Sequence, residues 1–337
     1  MRPKILLIYT GGTIGMMADS LNGELKPLDF EYIHQHIPEI ERLDIDVIPT
    51  SIEQPIDSSQ MQTQNWVELV TIIEKTHALV DGFVVLHGTD TMAFTASALS
   101  FMVQNLGKPI VLTGSQLPIG ILRSDGKENL ITALEIASKK GIDGKPILKE
   151  VAVFFQSKLF RGNRTSKISA HQFDAFDSPN YPLIGVAGVD ITFYMDRLLI
   201  PQNSAPTFCK QLDTRIALIK LFPGINLGAY ESLFDPDKTR AIIIEAYGAG
   251  NGPSDIVFEN QLKNYVDRGG VLVTLTQCTS GSVQPGQYAS GMLMSAIGAW
   301  NGRDLTTEAA ITKLMWMFGK TNNPISEEFS MSVCGEL

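Results

Sequence analysis

The sequence predicts an α/β protein of two domains: a larger N-terminal domain built on a doubly wound, mostly parallel sheet, and a smaller C-terminal Rossmann-like α/β domain. Three observations predict it. Short apolar runs alternate with longer amphipathic stretches through the first half, a shorter alternation of the same kind follows a Pro/Gly-rich interval, and 337 residues suffice for about two domains of ~150 residues each.

Taken in order, Lys4–Tyr9, Ile45–Ile48, Gly82–Leu86, Pro109–Leu112 and Val151–Phe155 read as buried strands, because each is a nearly unbroken apolar run. Between them, Thr63 to His77 carries Trp66, Leu69, Val70, Ile72 and Ile73 at helical spacing. Thr91 to Gly107 does the same with Ala98, Leu99, Met102 and Leu106, and Asn129 to Lys140 is a third helix. Such alternation places helices on both faces of a parallel sheet and binding sites at the C-terminal ends of its strands. From Tyr181 to Leu212 the pattern weakens into Pro182, Gly185, Gly188, Pro201 and Pro206. The expected division is therefore a larger N-terminal domain at 1–190, a connection at 191–212 and a C-terminal domain at 213–337. In the latter, Arg215–Leu221, Arg240–Glu245 and Val271–Thr276 read as strands, and Gln261–Gly269 and Gly291–Trp300 as helices.

Composition narrows the function. A hydrophobic fraction of 44% with 19% charged residues is that of an ordinary globular protein. A net charge of −9 argues against nucleic acid and anionic lipid, which are bound by clustered Lys and Arg. Small molecules or proteins are the expected partners. Cys209, Cys278 and Cys334 form no C-x-x-C pair and read as reduced thiols. Arg2 and Lys4 precede the apolar Ile5–Ile8, but the run breaks at Thr10-Gly11-Gly12, too early for a signal peptide, and no stretch is long enough to span a bilayer. A cytoplasmic location is expected. His34, His36, His77, His87 and His171 include no i, i+4 pair, so neither a metal nor another cofactor is expected. Gly319-Lys320-Thr321 has Leu314 where a P-loop needs glycine, and no G-x-S-x-G occurs.

Three strand ends carry the chemistry. The first strand runs into Thr10-Gly11-Gly12-Thr13-Ile14-Gly15; a dinucleotide fingerprint would need glycine at Thr10, and a plain Gly-rich turn is the competing reading. The third strand ends in His87-Gly88-Thr89-Asp90-Thr91, where Asp90 or Thr91 could simply cap a helix. The next ends in Thr113-Gly114-Ser115-Gln116 and is followed by Arg123-Ser124-Asp125-Gly126. Asp57-Ser58-Ser59 precedes a helix and alone reads as a turn, while Lys167, in Gly162-Asn163-Arg164-Thr165-Ser166-Lys167, alone reads as a surface charge. Together these hydroxyl, carboxylate and amine groups are those a covalent amide hydrolysis requires: a nucleophile, a tuned base and anchors for a charged substrate.

The ordered set TGGTIG, HGTDT, TGSQ, RSDG and GNRTSK resembles the L-asparaginase family, in its cytoplasmic bacterial type I branch, and the likeness continues to GAGNGP and TQCTSG. The resemblance implies hydrolysis of L-asparagine to L-aspartate and ammonia through an acyl-enzyme, with Thr13 as nucleophile and Thr89, Asp90 and Lys167 as catalytic partners. It implies substrate contacts from Gly12, Asp57, Ser58, Ser59, Thr89, Asp90 and Ser115. It also implies a homodimer or homotetramer with active sites near the subunit interface, where Asn251 of Tyr247-Gly248-Ala249-Gly250-Asn251-Gly252 reaches a neighbouring site; a plain Gly-rich turn is the other reading of that segment. Two departures stand out. Relatives commonly carry a tyrosine in the lid after Gly15, where this chain, over Met16 to Pro27, has Gly23-Glu24-Leu25-Lys26, and a basic residue of the regulatory region appears here as Glu245. A glutaminase-asparaginase of broader specificity, a transamidation subunit and a non-catalytic amino-acid-binding protein are the alternatives. The early start of TGGTIG and the acidic balance disfavour the second, and the presence of Thr13 and Lys167 disfavours the third.

Overall fold

The computed structural model describes residues 2–15, 35–202, 204–253, 255–284, 289–321 and 324–337. The expected lid, Met16 to Pro27, lies outside the described residues. The chain divides into two compact units, Met1–Lys210 and Gln211–Leu337.

The first unit is built on eight strands: β1 (Lys4–Gly11), β2 (Asp46–Ile56), β3 (Gly82–Leu86), β4 (Ile110–Thr113), β5 (Val151–Phe155), β6 (Lys158–Arg161), β7 (Gly185–Ala187) and β8 (Ile191–Phe193). Their order across the sheet is β8-β7-β6-β5-β4-β3-β1-β2. The five strands from β5 to β2 are parallel and the remainder antiparallel. Helices α1 (Thr63–Thr76), α2 (Met92–Met102) and α3 (Gly126–Ser138) fill the crossovers. Because side chains alternate along a strand, Ile5, Leu7 and Tyr9 of β1 face one side, where they join Val84, Leu86 and Val111 and the Leu130, Ala133 and Leu134 stripe of α3. Each fully buried aliphatic side chain there contributes ~1.5–3 kcal/mol. On α1 and α2, the Trp66 indole N–H donates to Thr95 Oγ1 at 3.0 Å and ties the two helices together.

Several elements depart from the expectation. The segment Ile191–Phe193 at the start of the expected connection forms β8, which pairs antiparallel with β7 at one edge of the sheet, and the division falls after Lys210, within the expected 191–212. The helix expected to run to Gly107 stops at Met102, where Val103–Gln104 turns to pair with Thr207–Phe208. The β5–β6 hairpin went unexpected because Gln156 and Ser157 take its turn at φ +46° and +63°, a left-handed conformation normally announced by glycine or asparagine.

The second unit holds an all-parallel sheet ordered β9 (Ile216–Lys220), β10 (Ala241–Ala246), β11 (Val271–Thr276), β12 (Trp300–Asn301). Helix α4 (Ile256–Asp267) begins five residues before its expected start, capped by Asp255, whose carboxylate accepts from the Val257 and Phe258 amides. Exposed Ile256 and Val257 had masked its apolar period. After α5 (Ala289–Ala296), the unexpected α6 (Thr307–Lys320) buries Ala309, Ala310, Leu314 and Met317, with Lys313 in the middle of that face. Among the described residues no helix is long and apolar enough to cross a membrane.

Candidate active site

The site grows from the C-terminal edge of β2, β1, β3 and β4. At the end of β1, Gly11 has φ +113° and Gly12 φ +86°. A Cβ on Gly11 would stand 2.0 Å from the Ile56 carbonyl oxygen, and one on Gly12 would stand 2.5 Å from Gly88 Cα. Only glycine lets these backbones approach so closely. The half-buried Thr13 opens the short turn Thr13–Gly15 and directly follows Gly12, whose backbone meets Gly88 of the loop after β3. On the other flank the β1–β2 register slips, from Tyr9 opposite Ser51 to Gly11 opposite Ile56, which leaves Asp57 just beyond the sheet edge.

Asp57 does form a turn, its carboxylate accepting from the Ser59 amide at 2.8 Å, and it stays exposed. Ser58 is buried against the next loop: a Cβ on Gly88 would lie 2.5 Å from Ser58 Oγ. Beyond Gly88, Lys167 reaches in from a hairpin formed by Ser166–Lys167 and Phe176–Asp177. Its Nζ donates to Thr89 Oγ1 at 2.9 Å and to Asp90 Oδ1 at 2.6 Å. The Lys167 side chain is only 17% exposed, so it is no surface charge, and Asp90 spends its carboxylate on Lys167 instead of capping α2.

Because the Thr89 oxygen accepts from Lys167, its own proton points to Gln116 Oε1, 3.2 Å away. The Gln116 amide is oriented for this by its Nε2, which donates to the Gln172 carbonyl at 2.9 Å. Its backbone N–H and that of Leu117 donate to the buried Asp125 carboxylate, at 3.0 and 3.1 Å. Asp125 of the RSDG segment thus shapes the loop that carries Gln116. Sequence alone assigns neither residue to the site, although Gln116 ends the TGSQ segment and Asp125 lies in RSDG just before α3.

Beneath the loop, His87 is fully buried, and burial pushes its pKa down to about 4, so the ring is neutral. The Gly88 carbonyl, 2.7 Å from Nδ1, can only accept, which places the ring proton on Nδ1. Nε2 then accepts from the Thr95 hydroxyl at 2.8 Å, and Thr95 accepts from Trp66. Tyr9, whose phenol burial pushes up to about 12, lies in the core cluster on the α3 side.

The remaining expected residues are placed as follows. Ser115 is buried with its Cβ toward Gly126 at the start of α3, and its hydroxyl has no hydrogen-bond partner among the described residues. Asn251 lies in the second unit, in a tight turn closed by backbone bonds to Tyr247 in both directions, with Gly248 and Gly250 at positive φ. The turn reading of that segment therefore describes its backbone. Glu245, at the end of β10, accepts from the Thr307 hydroxyl at 2.6 Å and lies 3.4 Å from Lys220 Nζ.

Fold and cluster define a two-unit α/β protein whose linked hydroxyl, ammonium and carboxylate groups suit nucleophilic chemistry on a small polar substrate. The chain belongs to the asparaginase family: the family model described as Asparaginase, N-terminal, matches residues 4–199, and the Glutaminase/Asparaginase C-terminal domain matches residues 215–327. It is 39% identical to L-asparaginase 1 of Escherichia coli, over 100% of this chain and 98% of that protein. It is 40% identical to the 60 kDa lysophospholipase of Mus musculus over 94% of this chain, but spans only 59% of that longer protein. Among solved structures, L-asparaginase I from Vibrio cholerae superposes with a TM-score of 0.88 at 35% identity, covering 100% of this chain and 99% of that one.

Proposed function

We propose that this protein is an L-asparagine amidohydrolase working through a threonine-bound acyl intermediate. The observation that carries the reading is the chain Asp90–Lys167–Thr89, in which a largely buried ammonium contacts both a carboxylate and a hydroxyl able to pass on a proton. In this mechanism Thr13 Oγ attacks the side-chain amide carbon and its proton goes to the leaving amine. The C–N bond breaks and ammonia departs. Water then attacks the ester, releasing aspartate and restoring the Thr13 hydroxyl. Thr89 and Lys167 exchange the proton in both halves, Asp90 holds the ammonium in place, and Asp57, Ser58 and Ser59 with Gly12 and Ser115 receive the amino-acid end of the substrate. The family resemblance supports a homodimer or homotetramer in which Asn251 contributes to a neighbouring site, and a cytoplasmic location. Glu245 stands where relatives carry a basic residue of the regulatory region, so the reading includes no activation by asparagine.

The test is ammonia release over a concentration series of L-asparagine with L-glutamine in parallel. A hyperbolic response to asparagine and its loss in Thr13→Ala are expected. Comparable turnover of glutamine would widen the specificity, and ammonia from neither amino acid would point to a binding protein.

A further inference from the structure

Thr91 is the N-cap residue of α2, yet its side chain does not cap the helix. A threonine in that place ordinarily accepts from an amide of the first turn. Here its hydroxyl instead donates to the Ser58 carbonyl at 2.7 Å, joining two loops that are 33 residues apart in the chain. The same carbonyl also accepts the Met61 amide at 3.2 Å, so it holds the short Ser58–Gln60 turn from within and from without. The turn has little else to anchor it from the sheet. It follows β2, an edge strand along which only Ile52 is buried, and it starts beyond the register slip. The Ser58 side chain fills the space that a Cβ on Gly88 would need, so the bond from Thr91 and the glycine gap fix one geometry between the loops.

We propose that Thr91 is a positioning residue that sets the Asp57–Ser58–Ser59 turn against the Thr89–Asp90 loop and so governs how tightly the amino-acid end of the substrate is held. This rests on the reading of Asp57 and Ser58 as substrate contacts. Thr91→Val keeps the shape and removes the donor; Thr91→Ser keeps the donor. The valine variant is expected to raise KM for asparagine about five- to tenfold while kcat stays within about twofold, and the serine variant to restore KM. Partial unfolding of the valine variant would lower apparent kcat and leave KM untouched, so the readout survives it. Asp57→Asn serves as the reference. If it raises KM while Thr91→Val does not, or if Thr91→Ser fails to restore KM, the role assigned to Thr91 is wrong. If Asp57→Asn leaves KM unchanged, the substrate-contact reading itself fails.

Discussion

Lys167 and Lys313 are both largely withdrawn from water and both bonded to a carboxylate, Asp90 at 2.6 Å and Glu336 at 2.5 Å. They differ in what completes the ammonium's surroundings. Lys313 is fully buried and gives its other protons to the Phe329 and Met331 carbonyls at 2.8 and 2.7 Å. Glu336 is in turn held by the Val333 and Cys334 amides. Carbonyls and amides cannot exchange protons with a lysine near neutral pH, so this cluster fastens the segment after α6. Lys167 has the Thr89 hydroxyl as its second partner, and its carboxylate partner is 62% exposed. A lysine with a carboxylate partner is poised for chemistry when its other neighbour is a hydroxyl that can relay a proton, and structural when its other neighbours are backbone carbonyls.

The comparison can be sharpened or broken by substitution. Lys167→Met is expected to lower kcat for asparagine by ~10³ or more while moving the unfolding midpoint little, measured by ammonia release and thermal melting. Lys313→Met should do the reverse. It strands a buried carboxylate and is expected to cost about 3–5 kcal/mol in denaturant unfolding, with turnover per folded molecule unchanged. Equal stability losses in the two variants would erase the distinction.

The pH dependence follows from Glu336. Burial raises the pKa of its carboxyl, but Lys313 and the two amides outweigh burial, and the net direction is down. A folded pKa below the unfolded ~4.3 means that the stabilisation is complete above about pH 4.3 and disappears as pH falls through the folded value. The unfolding free energies of the wild type and Glu336→Gln should therefore converge below that point; a constant gap would contradict the sign. The smallest effect belongs to a third lysine. Lys263 pairs with Asp267 one helical turn away on the exposed face of α4, and Lys263→Ala should shift stability by only a few tenths of a kcal/mol.

Much of this was legible in the sequence, where local chemistry and tertiary role coincide. Gly82–Leu86 and Val151–Phe155 were delimited to the residue, because a strand buried on both faces is apolar throughout. Thr89, Asp90 and Lys167 were named in advance and the fold brings them into contact. What stayed hidden depended on partners distant in the chain. The strand β2 is mostly exposed and carries Pro49 and Pro55, so neither an apolar run nor strict alternation marks its full length. Helix α6 escaped because its apolar face contains Lys313, whose burial makes sense only once Glu336 is seen beside it. Gln116 carries no role in the sequence alone, since an amide's duty is defined by what its two ends meet, here Thr89 and Gln172.

The close approach of Gly12, Gly88 and Ser58 has an evolutionary consequence. The loops meet here without room for a side chain at residue 12 or 88, where a Cβ would overlap atoms 2.5 Å away. Descendants of this chain cannot acquire new substrates by trial of side chains there, since every such trial forfeits the loop arrangement before it alters selectivity. Innovation must enter at exposed positions such as Asp57 and Ser59, where a changed side chain leaves the packed glycines intact.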